Sequence, residues 1–142
     1  MRTRTPTPPV NIDIRDTDIP GHHVVTLTAP GSGTSIGRAG VEYWEHFPLI
    51  ELDASDNPHD TINIYYVAHL DIWPQFQGRG YGRAAVRAIE KHFGAEQTVV
   101  AISTDTSDGF WRSTGWRRNV DTSTNNMVYS FNLNPPEERH HL

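Results

Sequence analysis

A glycine-rich turn between an apolar strand and a helix constrains this chain more than any other feature. Residues 70–83 start at the end of an apolar segment, break at Pro74 and then place glycines at alternate positions, Gly78, Gly80 and Gly82. Glycine has no Cβ atom, so a turn of this kind lets backbone N–H groups converge on a bound anion. The helix that follows directs the positive end of its dipole to the same point. The run therefore predicts a site for a phosphate-bearing ligand.

Three arginines support this prediction, because Arg79 and Arg83 flank the glycines and Arg87 lies one turn further along the helix. Two other phosphate-binding loops do not fit the sequence. A P-loop closes on Gly-Lys-Ser/Thr, whereas Tyr81 and Arg83 follow the last two glycines here. A dinucleotide-binding loop has the spacing Gly-x-Gly-x-x-Gly, whereas this turn has Gly-x-Gly-x-Gly. A glycine-rich turn without a ligand is the plainer alternative, and the flanking arginines argue against it.

The same run resembles the acyl-CoA-binding segment of the GCN5-related N-acetyltransferases. In that family a strand ending in Leu-x-Val-x-Pro precedes the pattern Gln/Arg-x-x-Gly-x-Gly/Ala. This chain has Leu70, Ile72 and Pro74 at the strand end, and Gln77 then opens the glycine-rich turn. The positions agree in order, with isoleucine in place of valine.

A second similarity to the family lies at the expected distance downstream. Phe110-Trp111 and Gly115-Trp116 take the places of the family's Phe/Leu-Tyr and Gly-Phe pairs. The family usually has a tyrosine where this chain has Trp111, and that tyrosine protonates the departing thiolate. An indole N–H is not a useful proton donor for this role, so the usual acid is missing.

Composition sets broad limits on the chain. Its 142 residues are enough for one domain with a substantial core. It has no cysteine, which excludes disulfides and thiolate metal sites, and its net charge of −5 argues against general nucleic-acid binding. No segment reads as a membrane helix or a signal peptide, so we expect no membrane association and a cytoplasmic location. We expect a disordered arm at 1–10, one domain at 11–133 and a flexible tail at 134–142.

Hydrophobic periodicity predicts the order of the elements. Strands are expected at 11–15, 22–28, 34–44 and 62–72, a helix at 80–93, a strand at 98–103, a short helix at 107–114 with Ser107 or Asp108 as its cap, and a closing hairpin at 116–120 and 127–133. The strand at 62–72 has apolar residues at both odd and even positions, which suits a central strand covered on both faces.

The resemblance implies an α/β (α+β) fold with a mixed, mostly antiparallel, twisted sheet of six to seven strands. A long helix follows the glycine-rich turn and a short second helix comes later. The front half departs from the family, because residues 11–24 leave room only for a turn at 16–21 where the family has one or two helices. Either the N-terminal half is a reduced, mostly β version, or another subunit supplies the missing wall.

The function implied by the resemblance is transfer of an acyl group, most often acetyl, from acyl-CoA to an amine. Turn N–H groups would hold the pyrophosphate, and the strand end at Leu70 and Ile72 would pair with the pantetheine arm and polarise the thioester carbonyl. Acetyl-CoA is then the co-substrate, with no metal, and an amine is the second partner; a homodimer is also common in the family. The residues implied in CoA binding are Leu70, Ile72, Gln77, Gly78, Arg79, Gly80, Tyr81, Gly82, Arg83, Phe110 and Trp111.

Catalysis also needs a base for the amine proton and an acid for the thiolate. Candidate bases are Glu42, Glu45, His46, His69 and Asp71, and substitutes for the missing acid are Tyr81 and Tyr129. His69 and Asp71 alternate on one side of the central strand, near Leu70 and the turn. A strand edge that opens to solvent is the equally good alternative for this polar pair.

Glu42 and Glu45-His46 lie among Tyr43, Trp44 and Phe47, and such a cluster suits an acceptor pocket for a cationic amine. Ordinary cross-strand aromatic packing is the plainer interpretation. A metal site from His46, His69 and Asp71 lacks paired ligand spacing, and we discount it.

Three functions therefore stay open at the level of sequence. The first is an active N-acetyltransferase for a small molecule or a protein. The second is a weak or inactive acyl-CoA-binding sensor or structural protein, which Trp111 and the missing front helices favour. The third, a nucleotide-binding regulatory domain of another class, has only the anion-binding turn in its favour.

Overall fold

The structure is a computed structural model and describes residues 7–103 and 106–133. Over these ranges it contains seven strands and two α-helices. In chain order they are β1 (Asn11–Asp16), β2 (His22–Thr28), β3 (Ser35–Pro48), β4 (Thr61–Ile72), α1 (Tyr81–Phe93), β5 (Thr98–Ser103), α2 (Asp108–Arg112), β6 (Arg117–Asp121) and β7 (Asn126–Phe131). Short 3₁₀ turns occupy Leu49–Leu52 and Pro74–Phe76.

All seven strands lie in one sheet with the order β1-β2-β3-β4-β5-β7-β6. Neighbouring strands are antiparallel, except that β4 and β5 run parallel because α1 returns the chain across one face. This architecture confirms the predicted fold class, with a long helix after the glycine-rich turn and a short second helix. The element boundaries agree with the predicted ones to within a few residues, except at the end of β3.

The front of the chain is a β-hairpin. β1 pairs with β2 from Asn11 opposite Thr28 to Asp16 opposite His23, and the Thr17 N–H closes the turn on the carbonyl of His22 at 3.1 Å. The described segment between these strands is a turn without a helix, as the sequence predicts.

One face of the sheet carries the main core. Helix α1 is amphipathic because its apolar residues recur at helical spacing, and it buries them against β2, β3, β4 and β5. The buried helix residues are Ala84, Ala85, Val86, Ile89 and Phe93. Trp111 and Trp116 extend this core across β7. Burial of such side chains stabilises the fold by about 1.5–3 kcal/mol for each large one.

The opposite face has a smaller core, in which Phe47, Leu49 and Leu52 pack on Ile64 and Val100. The 3₁₀ turn after β3 supplies two of these residues. β3 reaches them because it continues to Pro48, four residues past its predicted end. A bulge between Trp44 and Phe47, where His46 has a φ of 59°, lets the strand continue.

β4 lies in the centre of the sheet but is paired on both sides for only part of its length. Its ladder with β5 runs from Ile64 opposite Thr98 to Val67 opposite Ala101, whereas β4 itself continues to Ile72. The register with β3 shifts at the same place, because Gly40 faces His69 and Val41 faces Val67. Ala68 is thus the extra residue of a bulge, and beyond it β4 diverges from β5. Val67 belongs to the main core and Ile64 to the core on the opposite face, so the prediction of coverage on both faces holds for the first half of the strand.

The predicted terminal segments lie largely outside the described residues, which exclude 1–6 and 134–142. Of the N-terminal arm, residues 7–10 are described. Val10 packs against the main core, and a Cβ atom added at Gly80 would lie 3.0 Å from the Cδ of Pro8. This part of the arm therefore passes beside the glycine-rich turn.

Candidate functional site

The divergence of β4 from β5 opens a cleft of about 990 Å³ beside the start of α1. The end of β4, the glycine-rich turn and the first turn of α1 form one wall, and the end of β5 with α2 forms the other. The cleft is lined by all the residues that the sequence predicted for CoA binding: Leu70, Ile72, Gln77, Gly78, Arg79, Gly80, Tyr81, Gly82, Arg83, Phe110 and Trp111. The structure brings these residues together, and their individual roles stay predictions.

The glycine-rich turn needs glycine for its backbone shape. Gly78 and Gly80 have φ angles of 78° and 87°, in the left-handed region that residues with a side chain rarely adopt. Gly80 is also the residue before α1, whose first hydrogen bond runs from the Ala84 N–H to the Gly80 carbonyl at 3.1 Å. The N–H groups of residues 81–83 precede that bond, so they are available to an anion at the helix end.

The side chain of Gln77 connects the glycine-rich turn to the end of β4. Its Nε2 donates to the carbonyl of Ile72 at 2.9 Å. The strand end is fixed in turn by the Trp73 N–H, which donates to the carbonyl of Ile36 at 2.9 Å. These two hydrogen bonds connect the turn to the ends of β4 and β3.

Two of the three arginines face the cleft as unneutralised charges. Among the described residues neither Arg79 nor Arg83 has an acidic partner, and the Arg79 guanidinium lies 5.8 Å from the ring centre of Phe76. Arg87 behaves differently, because it pairs with Glu90 and donates to the Thr114 carbonyl at 2.8 Å. Arg87 does not line the cleft, and its predicted part in anion binding stays a prediction.

Helix α2 packs tightly against the start of α1. A Cβ atom at Gly82 would lie 2.8 Å from the Cε1 of Phe110, so Gly82 allows the close contact of the two helices as well as access to the cleft. Trp111 is buried, with its ring centre 5.3 Å from Trp116 and 6.2 Å from Tyr129. Trp111 is therefore a core aromatic residue that also lines the cleft.

The backbone of β4 beyond the bulge offers unpaired polar groups to the cleft. Ala68 has no partner residue on β3, and the ladder to β5 has already ended at Val67. N–H and carbonyl groups on that edge of residues 68–72 therefore have no strand neighbour across the cleft. An extended ligand with amide groups can pair with such an edge as an added strand would.

His69 and Asp71 form the polar pair that the alternation on β4 predicted. The His69 Nδ1 lies 3.3 Å from Asp71 Oδ2, and Arg38 Nε lies 4.0 Å from the same oxygen. The Nε2–Cδ2 edge of the imidazole lies closest to Gly40, where an added Cβ atom would come within 2.5 Å of the ring Nε2. With Nδ1 turned to the carboxylate, Nε2 is the nitrogen left to exchange a proton.

The other candidate bases, Glu42, Glu45 and His46, lie away from the cleft. Glu42 lines a separate cavity of about 420 Å³ on the sheet face opposite α1, together with Gly40, Ala68 and His69. Glu45 and His46 are exposed and line neither cavity. Among the described residues there is no group of three or more potential ligands that could hold a metal ion, and no described helix is long and apolar enough to cross a bilayer.

The two tyrosines proposed as acids differ in access. Tyr81 lines the cleft, with its ring 6.0 Å from Phe76 in an edge-on contact. Tyr129 is fully buried, and its hydroxyl donates to the carboxylate of Asp108. Burial and this hydrogen bond raise the pKa of Tyr129 above its ordinary value of 10.0. Tyr129 therefore belongs to the structural network at α2 and offers no proton to the cleft.

Asp108 is the centre of that network, since Arg118 Nε also donates to its carboxylate at 3.1 Å. The hydrogen bonds from Arg118 and Tyr129 hold the pKa of Asp108 below its ordinary value of 3.8. A carboxyl group with a lowered pKa stabilises the folded state above its ordinary pKa, and this contribution is lost as pH falls through the folded-state pKa.

We therefore expect Asp108→Asn to melt at a lower temperature than the unsubstituted protein at pH 7. The difference between the two melting temperatures should become smaller below about pH 4. Thermal melts between pH 3 and pH 7 test this. Asp56→Asn is the matched control, because Asp56 is exposed and makes no ion pair or hydrogen bond among the described residues. A gap that stays constant across this range would contradict the assignment.

Four features of the site were missed in the sequence. The bulge at Ala68 and the contact of His69 with Gly40 depend on cross-strand register, which no local pattern encodes. Ser107 or Asp108 was expected to cap α2, but Ser107 at the cap position makes no side-chain cap; its hydroxyl lies 2.8 Å from that of Ser103 and lines the cleft. The second cavity combines the β1–β2 turn with β3 and β4, so only the fold brings its walls together.

Comparisons with known proteins bear on the fold. No protein-family model matches the chain, and no curated protein sequence matches it either. Solved structures do match. One is an acetyltransferase from Thermus thermophilus, with a TM-score of 0.57 and 18% identity over 80% of this chain and 66% of that one. This chain thus spans slightly less than two thirds of that protein's length.

Two further structures show the same similarity. Arabidopsis thaliana NAA60 in complex with acetyl-CoA has a TM-score of 0.57 and 10% identity, over 78% of this chain and 76% of that one. A structure described as a bacterial toxin has a TM-score of 0.58 and 14% identity, over 87% and 91%. At such low identities the similarity establishes a shared fold and nothing more about what the chain does.

Proposed function

We propose that this chain, which has the fold of the GCN5-related N-acetyltransferases, transfers an acetyl group from acetyl-CoA to an amine. The observation that carries the proposal is the cleft between β4 and β5. It combines helix-end N–H groups, two unneutralised arginines and an unpaired strand edge in one continuous space. A similar fold holds acetyl-CoA in the Arabidopsis structure.

Binding of the cofactor uses three parts of the cleft. N–H groups of the turn and of the first turn of α1 hold the pyrophosphate, aided by Arg79 and Arg83. The edge of β4 from Ala68 to Ile72 pairs with the amides of the pantetheine arm. Phe110 and Trp111 on the opposite wall pack against its methylene groups. The thioester then lies near the bulge, where backbone N–H groups polarise its carbonyl.

The reaction is a direct attack by the amine nitrogen on the thioester carbon. A C–N bond forms and the C–S bond breaks, so the products are the acetylated amine and free CoA. His69 accepts the amine proton at Nε2, and Asp71 stabilises the imidazolium through Nδ1. The thiolate takes up one proton, for which Tyr81 is the candidate in the cleft. Positioning of the amine beside the thioester supplies much of the rate.

Gly40 is a positioning residue in this scheme, because it gives the His69 ring room to lie on β3. We expect Gly40→Ala to displace the imidazole and lower kcat by about tenfold, a loss of about 1.4 kcal/mol of transition-state stabilisation. The affinity for acetyl-CoA should not change, since Gly40 lies outside the cleft. The added methyl group would clash only with the movable end of the His69 side chain, so the melting temperature should change little.

A double-substitution cycle provides the control for this expectation. In a His69→Gln background, Gly40→Ala should have no further effect on kcat, because the ring that it displaces is gone. An undiminished effect in that background would show that Gly40 acts on catalysis by another route.

Calorimetric titration of acetyl-CoA, followed by mass spectrometry with a panel of amines, tests the proposed function. Micromolar or tighter binding and a gain of one acetyl group on an amine would support it. Binding without transfer would favour a CoA-binding sensor or structural protein instead. Absence of binding, with ATP as the comparison ligand, would contradict the assignment of the cleft. A homodimer, a cytoplasmic location and the absence of nucleic-acid partners stay predictions.

A further inference from the structure

The cavity on the sheet face opposite α1 shares a wall with the acyl-CoA cleft. Both spaces are lined by Ala68 and His69, the two residues at the bulge of β4. The thioester of the proposed cofactor lies on the cleft side of that wall. An acceptor held in the second cavity therefore has its reacting nitrogen next to both the thioester and His69. At about 420 Å³, the cavity is large enough for a small molecule.

The charge of the second cavity is opposite to that of the cleft. Its acidic residues are Asp18 in the β1–β2 turn and Glu42 on β3. Among the described residues that line it there is no Lys or Arg, and its other ionisable side chains are the histidines His22, His23 and His69. The cleft, by contrast, carries Arg79 and Arg83. The cleft therefore favours an anionic ligand, and the second cavity favours a cationic one.

Glu42 is oriented toward the cavity. Trp44 Nε1 donates to its Oε1 at 2.9 Å, and His22 Nδ1 lies 3.8 Å from its Oε2. Because 3.8 Å is longer than a hydrogen bond, Oε2 can still accept a hydrogen bond from a ligand beside His22. The nearby ring of Tyr66 has a raised pKa because burial and then the charge of Glu42 both disfavour its ionised form. The carboxylate therefore exerts its negative charge on this part of the sheet.

The spacing between the two functional groups sets the length of the acceptor. His69 lies over Gly40, and Glu42 is two residues further along β3 on the same face. Two strand residues span about 7 Å. A chain of four carbons between two nitrogens bridges such a distance, with one nitrogen at His69 and the other at Glu42.

We propose that the second cavity is the acceptor site and that it takes a short aliphatic diamine, which is acetylated on one nitrogen while Glu42 and Asp18 bind the other as an ammonium ion. This inference rests on the proposed function. The bond changes are those already described, because the second nitrogen does not react. Apolar contacts from Ile19 and Val24 suit the methylene groups between the two nitrogens.

Three amines of matched length test the inference: 1,4-diaminobutane, 1-aminobutane and 4-aminobutanoate. With acetyl-CoA saturating, release of the CoA thiol gives kcat/KM for each. We expect the diamine to exceed the monoamine by about tenfold or more, because a charge-assisted hydrogen bond is added, and the amino acid to be poorest because its carboxylate faces Glu42.

Glu42→Gln is the informative variant, because it removes the charge and keeps the shape. It should reduce the advantage of the diamine over the monoamine to about twofold, and Asp18→Asn should reduce it in part. Glu45→Gln is the matched control, since Glu45 lies on the same strand and lines neither cavity. Because the readout is a ratio between two substrates, a general loss of activity does not imitate it.

Titration of 1,4-diaminobutane into the protein saturated with CoA measures binding without turnover. Equal rates for the three amines, or a diamine advantage that survives Glu42→Gln, would overturn the inference. So would failure of the diamine to bind or react in a protein that binds acetyl-CoA, and in that case the proposed cofactor site would stand. Failure to bind acetyl-CoA itself would overturn the proposed function and this inference together.

Discussion

Replacing Gly80 with leucine is expected to weaken acetyl-CoA binding by at least about 100-fold, or roughly 2.7 kcal/mol. Gly80 has a φ of 87° and directly precedes α1, so its backbone turns the N–H groups of residues 81–83 toward the cleft. A Cβ atom at this position would lie 3.0 Å from the Cδ of Pro8, so a leucine side chain has to displace either the arm or the turn, and we expect this to move those N–H groups. It also disfavours the left-handed backbone by about 1–2 kcal/mol, which a domain of ordinary stability tolerates.

Calorimetry measures the loss, and the melting temperature without ligand reports on the fold. Gly109→Ala serves as the control, because Gly109 does not line the cleft, a Cβ atom there meets nothing within 4 Å, and its φ lies outside the left-handed region. It should bind acetyl-CoA as tightly as the unsubstituted protein. If the folded Gly80→Leu variant kept its affinity, the turn would not be the pyrophosphate site.

Replacing His69 with glutamine is expected to lower kcat by about 10²- to 10⁴-fold and to leave the affinity for acetyl-CoA nearly unchanged. Glutamine fills similar space and keeps hydrogen-bonding groups, but it does not accept the amine proton. Asp71→Asn should have a smaller effect, because it removes the stabilisation of the imidazolium while the base itself stays in place. Steady-state kinetics with saturating acetyl-CoA and a reactive amine provide the measurement.

His59→Gln is the matched control for this loss, because His59 is an exposed imidazole that lines neither cavity. It should keep full activity. A His69→Gln variant within about threefold of the original kcat would exclude His69 as the base. An equal fall in affinity for acetyl-CoA and in rate would instead assign His69 to cofactor binding.

Much of the fold followed from local patterns. The helix after the glycine-rich turn was predictable because its apolar residues recur at helical spacing and Gly94 follows its last residue. The β1–β2 hairpin was predictable because too few residues separate the strands for a helix. The end of β3 was not, because the bulge at His46 and the core that Phe47 joins both depend on contacts with β4 and the 3₁₀ turn.

The three arginines near the cleft also show the difference between local patterns and tertiary contacts. Their spacing along the chain made Arg79, Arg83 and Arg87 look equivalent. In the folded protein the first two face the cleft, whereas Arg87 points to Glu90 and the carbonyl of Thr114. Glu90 lies three residues after Arg87, so this ion pair is a local signal, whereas the contact with the Thr114 carbonyl depends on the fold.

The sequence by itself determined the glycine-rich turn, because positive φ angles and close backbone approach require glycine whatever surrounds them. It also determined the order of strands and helices and indicated many of the residues that line the cleft. Only the tertiary structure decided where β4 leaves β5, how His69 rests on Gly40 and which carboxylates share its cavity. Those properties depend on strand register and on contacts between distant segments, and a single-residue shift in register turns every side chain of a strand to the other face.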